Sequence, residues 1–244
     1  MANGFDPRVT AAPRAPTVGR DSVAVDAGLR SYMLSVYNYM TSGVLLTGIV
    51  ALLFANSEFG RNILINGGPL RYVIMFAPLA FIMVLSFGIN RISTATAQML
   101  FWAFAVVMGV SMASIFLVFT GQSIATTFFA TAAAFAGLSL FGYTTKKDLS
   151  GFGTFLIMGV VGLLVASVIN IFLGSSTLQL AISFIGVLLF AGLTAYDTQK
   201  IKSMYFHVAG TDMMGKTVIM GALSLYLDFV NMFTFLLQFM GQRD

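Results

Sequence analysis

The stretch KTVIMGALSLYLDFVNMFTFLLQFMG, residues 216–241, is long and apolar enough to cross a bilayer, yet it carries a carboxylate, Asp228, near its centre. A helix needs about 20 mostly apolar residues to span the hydrocarbon core. A charged group at that depth costs about 2.5–3.5 kcal/mol on insertion scales, so it faces protein or a water-filled cavity rather than lipid. Steps of three and four residues from Asp228 reach Thr217, Gly221, Ser224, Asn231, Phe235 and Gln238, which share one helical face. That face is mostly small and polar, whereas the others are Leu, Val, Met and Phe. Small and polar residues are what one helix presents to another inside a membrane. The segment is therefore expected at the centre of a helical bundle, with Ser224 and Asn231 lining a cavity beside Asp228.

The rest of the chain fits that frame. Of 244 residues, 58% are hydrophobic and only 9% charged, against roughly 25% charged in soluble domains. Six further apolar stretches precede residue 214, at about 32–55, 70–89, 97–119, 123–142, 151–173 and 178–206. The expected fold is an all-α membrane protein of seven transmembrane helices with the C-terminal helix central. Residues 29–244 form this domain. Residues 1–28 hold three of the five prolines with mixed charges and no apolar run, and are expected to be a disordered cytoplasmic tail. Cysteine is absent, which removes disulfides, thiolate chemistry and cysteine metal sites.

The positive charges are sorted by loop. Arg8, Arg14, Arg20, Arg30, Arg91, Lys146, Lys147, Lys200, Lys202 and Lys216 fall on one side, and Arg61, Arg71 and Arg243 on the other. Positive loops stay cytoplasmic, so the N-terminus is expected there. The net charge of +4 is thus a topology signal, and no nucleic-acid partner is expected.

A second acid, Asp197, stands in AYDTQKIK (195–202), directly after the sixth apolar run. If that helix runs on to about Phe206 and the seventh begins near Thr217, the rise of 1.5 Å per residue places Asp197 about 13 Å and Asp228 about 16 Å from the same surface. The two carboxylates come out nearly level. Held together away from water they cannot both ionise cheaply, so they are expected to share a proton and titrate as a pair. A shared proton would fasten the two helices together. Its loss would part them and free oxygen ligands for a cation. Calcium takes 6–8 oxygens, so Asp197 and Asp228 with Ser224, Asn231 and water make an incomplete shell that suits transient passage better than storage.

At these residues the chain resembles the transmembrane Bax inhibitor motif family, the Bax inhibitor-1-like proteins, in particular its bacterial members. The resemblance rests on AYDTQKIK, on ALSLYLDFVNMFTFLLQFMG (222–241) and on TKKDLSGFGTFLIMGVVGLLVASVINIFLG (145–174), and extends more loosely from Arg30 onward. It implies seven helices with the last surrounded by the others, and a pH-sensitive calcium leak across the bacterial inner membrane, governed by an aspartate pair that matches Asp197 and Asp228. It also implies a basic residue at the end of the second span as a third member of the gate, matched here by Arg91 in FGINRIS. Some bacterial relatives carry a glutamate within the second span, which RYVIMFAPLAFIMVLSFG (71–88) lacks. No tightly bound cofactor is expected. The expected partners are the lipid bilayer, calcium ions and other membrane proteins.

Two other functions compete. One is a non-conducting regulator of a membrane protease or of a stress response. The other is an intramembrane aspartyl protease, which also pairs a Tyr-Asp on one helix with an Asp on the next. Here Asp228 follows Leu-Tyr-Leu rather than Gly-x-Gly, and no proline stands beyond Pro78 for the Pro-Ala-Leu segment of those proteases. No Gly-x-Ser-x-Gly or His-Glu-x-x-His motif occurs, so enzymatic activity is not expected.

Overall fold

Local chemistry sets the helix boundaries in the computed structural model, which describes residues 18–243, with side chains from Val25. Helix α1 (Val18–Asn56) is followed by a short α2 (Glu58–Asn66), whose N-cap Ser57 accepts from the Gly60 amide at 2.9 Å. Next comes α3 (Pro69–Gly88), with proline in its first turn, where no amide proton is needed. The third span divides into α4 (Thr94–Met112), capped by Ser93, and a single turn α5 (Ile115–Val118). Then follow α6 (Gly121–Thr144), capped by Thr120, and α7 (Ser150–Leu173), closed by Gly174 at φ +60°. Finally α8 (Ser176–Val208) is capped by Ser175, and α9 (Met213–Met240) completes the chain.

Seven of these segments are long and apolar enough to cross a membrane: Val25–Asn56, Pro69–Gly88, Thr94–Val118, Gly121–Thr144, Ser150–Leu173, Ser176–Val208 and Met213–Met240. The protein is an all-α membrane protein. Two boundaries differ from the sequence reading. Helix α1 starts at Val18, so residues 18–28 of the expected disordered tail are helical, and the last proline before it is Pro16. Residues 1–17 and 244 lie outside the described residues. The third apolar run, expected to be continuous, breaks at Ala113, whose amide makes a tightened bond to Val110 O at 3.3 Å.

Helix α9 is the hub. In its most apolar window 67% of residues are buried, against 11% for α3, and it packs against α8, α1, α6 and α4. Its Ile219, Leu225, Tyr226, Met232 and Leu237 are almost fully enclosed. A hydrogen-bond chain ties it to the first and third spans. Thr47 Oγ1 donates to Ala105 O at 2.8 Å, so its remaining partner, the Tyr226 hydroxyl at 2.6 Å, donates to Thr47. Helix α8 has 33 residues, hence about 50 Å of length, well beyond the ~30 Å core. AYDTQKIK is therefore helix interior, and its lysines belong to the portion leaving the membrane.

Candidate functional site

The polar face of α9 is spent on α8. A side-chain carbon on Gly221 would touch Ile201, and one on Gly186 would strike the Phe235 ring at 2.6 Å. The Gln238 side-chain oxygen accepts from Gln179 at 2.8 Å and from Ser183 at 3.4 Å. Gln179, Ser183, Gly186, Phe190, Asp197 and Ile201 recur at helical spacing, so Asp197 lies on the stripe of α8 that meets α9. These contacts fix an antiparallel register in which Asp228 lies opposite Leu193 and Thr194, while Asp197 lies opposite Ser224. The two carboxylates stand about 5 Å apart along the axis, close to one helical turn.

That offset corrects the level match expected from sequence. Helix α8 runs to Val208 rather than Phe206, and α9 begins at Met213 rather than Thr217. The shifted ends carry Asp228 deeper than Asp197 by about 6 Å at 1.5 Å per residue, in agreement with the side-chain contacts.

Asp228 is buried, with 4% of its surface exposed, and its Oδ2 has no hydrogen-bond partner among the described residues. The shared-proton hydrogen bond expected between the carboxyls is therefore not made through this oxygen. The charge that acts on Asp228 is that of Asp197, and the charge that acts on half-buried Asp197 is Lys200, one turn further on. Beside Asp197 a relay joins three helices: Tyr37 Oη meets Ser139 Oγ at 2.6 Å, and Ser139 Oγ meets Thr198 Oγ1 at 2.9 Å. Because Thr198 Oγ1 donates to Thr194 O at 2.7 Å, the protons of this relay run from Tyr37 toward α8.

The other expected site residues are placed differently. Arg91 is exposed in the turn after α3, and its side chain makes no hydrogen bond to either aspartate among the described residues. Ser224 and Asn231 are half-buried on the seam, and the Asn231 amide donates to Leu227 O of its own helix at 2.8 Å. Neither lines the cavity of about 710 Å³ beside α9, which takes Phe229 from that helix. Phe229 is rotated about 100° from Asp228, so the cavity lies on another face. No group of three or more His, Cys, Asp or Glu positioned to hold a metal occurs among the described residues.

At the far end of the seam, the sequence places Gln238 on the polar face of the last span, but Gln179 and Ser183 went unrecognised as its partners. Asn170 Nδ2 donates to Gln179 Oε1 at 3.1 Å, the Ser175 amide donates to Asn170 Oδ1 at 3.1 Å, and Gln179 and Ser183 both reach Gln238. The signal was available: an amide on each of three successive spans, near ends that a short Gly-Ser-Ser loop holds together.

A seven-span helical protein with an acid buried in its central helix is the class that fold and site define. The sequence profile of the family described as "Inhibitor of apoptosis-promoting Bax1" matches residues 29–244, and the chain belongs to this Bax inhibitor-1-like family. It is 47% identical over 231 residues to a protein of Caulobacter vibrioides, covering 91% of this chain and 92% of the relative. It is likewise 47% identical to a Rickettsia prowazekii protein, over 89% of this chain and 92% of that one. The inner membrane protein YbhL of Escherichia coli is 45% identical over 219 residues, 89% of this chain and 94% of YbhL.

Proposed function

We propose that this protein is a proton-sensitive cation leak of the bacterial inner membrane, with calcium as the permeant ion and its N-terminus in the cytoplasm. The observation that carries the reading is the unpartnered Oδ2 of buried Asp228 in a seam where the nearest acting charge is another carboxylate. A buried oxygen without a donor is costly and calls for a proton, a cation or water. With a proton on the pair, α8 and α9 stay closed. With both carboxylates ionised, repulsion across the seam loosens the helices, and the same oxygens become ligands for a passing cation. Two carboxylates one turn apart, with Ser224 at the level of Asp197, fall short of the 6–8 oxygens of a storage site. The leak thus opens as pH rises. The reading needs nothing from Arg91.

The test is calcium flux into proteoliposomes of the purified full chain across a pH series, with Asp197→Asn and Asp228→Asn alongside. The expected result is flux that rises through a defined pH transition in the native protein and a flattened response in both variants. Native-like flux and pH response in both variants would discard the gate. Absence of flux in every protein, with co-purification of a membrane protease, would replace the leak by a regulator. Peptide cleavage lost in either variant would replace it by a protease.

A further inference from the structure

Helices α1 and α6 both lean on α9 but pack little on each other; apart from the Tyr37–Ser139 hydrogen bond at 2.6 Å, which bridges them, the space between them is the cavity of about 710 Å³. Its wall on α6 toward the apolar end is Ala132 and Ala136, which are too small to close the gap, and its floor is formed by Phe135 and Phe229. The rims carry Leu34, Leu45 and Leu140, which are 51%, 53% and 63% exposed, so the groove opens sideways toward lipid. It runs from Arg30 to Leu45 along α1, about 22 Å at 1.5 Å per residue. That exceeds the ~15 Å hydrocarbon depth of one leaflet. The volume lies within the roughly 300–1,000 Å³ of pockets that take one small ligand.

The ends of the groove differ. One end is bounded by Arg30 and Tyr143, and Lys202 donates to Tyr143 O at 2.7 Å while lying over the Tyr143 ring at 4.9 Å from its centroid. Lys202 lies within about one helical turn of the level of Arg30, because Tyr205, one turn beyond Lys202, packs on Tyr32 at 5.5 Å and against Gly28. The opposite end, toward Val44 and Phe128, is lined by apolar side chains. An acyl chain gains nothing hydrophobic by leaving bulk lipid for this groove, since the two environments are equally apolar. Selectivity must then come from charge at the cationic end.

We propose that the α1–α6 groove binds one acyl chain of an anionic phospholipid, with the phosphate held between Arg30 and Lys202. The site is separate from the α8–α9 seam, and the proposal does not depend on conduction.

The test is native mass spectrometry of the purified full chain in detergent, supplied with equal amounts of phosphatidylglycerol and phosphatidylcholine. The expected result is one retained phosphatidylglycerol, preferred at least about fivefold, the factor that one interfacial cation contributes. The paired change Arg30→Gln with Lys202→Gln should bring the ratio to unity while a lipid is still retained. Ala136→Phe, which fills the groove and keeps both charges, should abolish retention of either lipid, with folding checked by circular dichroism. Equal retention of the two lipids by the native protein would overturn the proposal. So would an unchanged preference in the charge variant, or undiminished retention in folded Ala136→Phe.

Discussion

The two ends of the α8–α9 seam carry polar groups for opposite ends. At the amide end, the Asn170, Gln179, Ser183 and Gln238 side chains hydrogen-bond one another across three helices. At the acid end, Asp228 Oδ2 is more deeply enclosed than the half-buried Gln179 and Gln238 but has no partner, and its neighbour along the seam is a second acid. Between them stack Phe190 and Phe235, with centroids 5.9 Å apart. Satisfied polar groups in a membrane hold helices in register. An unsatisfied one is a standing cost that persists only where something else uses the oxygen. Two buried side-chain oxygens among the described residues lack partners, Tyr32 Oη and Asp228 Oδ2, and only Asp228 lies on the α8–α9 seam beside a second acid.

The most severe challenge to that contrast is Asp228→Leu. Replacing an unpaired buried carboxyl by an apolar side chain of similar size removes its desolvation cost, and the expected gain is about 1–3 kcal/mol of stability. The gain should come with loss of the pH-dependent flux. Reversible unfolding in mixed micelles measures the first effect and proteoliposome flux the second. A variant that is less stable than the native protein would show that Asp228 is a structural tie and that the two ends are alike.

Gln238→Leu probes the amide end and should go the other way. It leaves Gln179 Nε2 without its acceptor, whereas Ser183 Oγ keeps its bond to Gln179 O at 2.8 Å. Hydrogen bonds between membrane helices contribute about 0.6 kcal/mol on average and at most about 1.7. The expected loss lies in that range, with the pH profile of flux unchanged. A shifted pH profile would mean that the amide cluster belongs to the gate and would merge the two ends into one functional unit.

How far the sequence revealed this differs between the ends. The seven spans were legible because hydropathy is a local property, and the central place of α9 followed from one acid and a small polar stripe in an apolar run. The depth of Asp228 relative to Asp197 was not, because a shift of two residues at one helix end and four at the other changes the offset between the carboxylates by about 3 Å, half a turn. The mutual satisfaction of Gln179 and Gln238 was not legible either. It depends on side chains 59 residues apart meeting at hydrogen-bond distance, which hydrophobic periodicity does not encode. Helix α2 falls between the first two apolar stretches and leaves no hydropathy signal, because its nine residues, EFGRNILIN, are too few to span and too mixed to look apolar.

A milder version of the same contrast lies outside the membrane. Asp148, fully exposed before α7, accepts from the Ser150 amide at 2.9 Å, and hydrogen bonds from the Ser150 side chain and backbone hold its carboxyl below the usual carboxylate range. It is an acid whose bonding is met, in water, where Asp228 is one whose bonding is not, away from water. A carboxyl that is depressed in the folded state contributes stability above its unfolded value, near 3.8, and that contribution vanishes as pH falls through the lower folded value. Asp148→Ala should therefore lower the melting temperature slightly at pH 7, and the gap to the native protein should close on acidification below that range. Solvent screens an exposed group, so this is the smallest effect expected. A gap that stays constant from pH 7 to pH 3 would mean that the bond to Ser150 does not depend on the charge, and the exposed acid would then say nothing about the buried one.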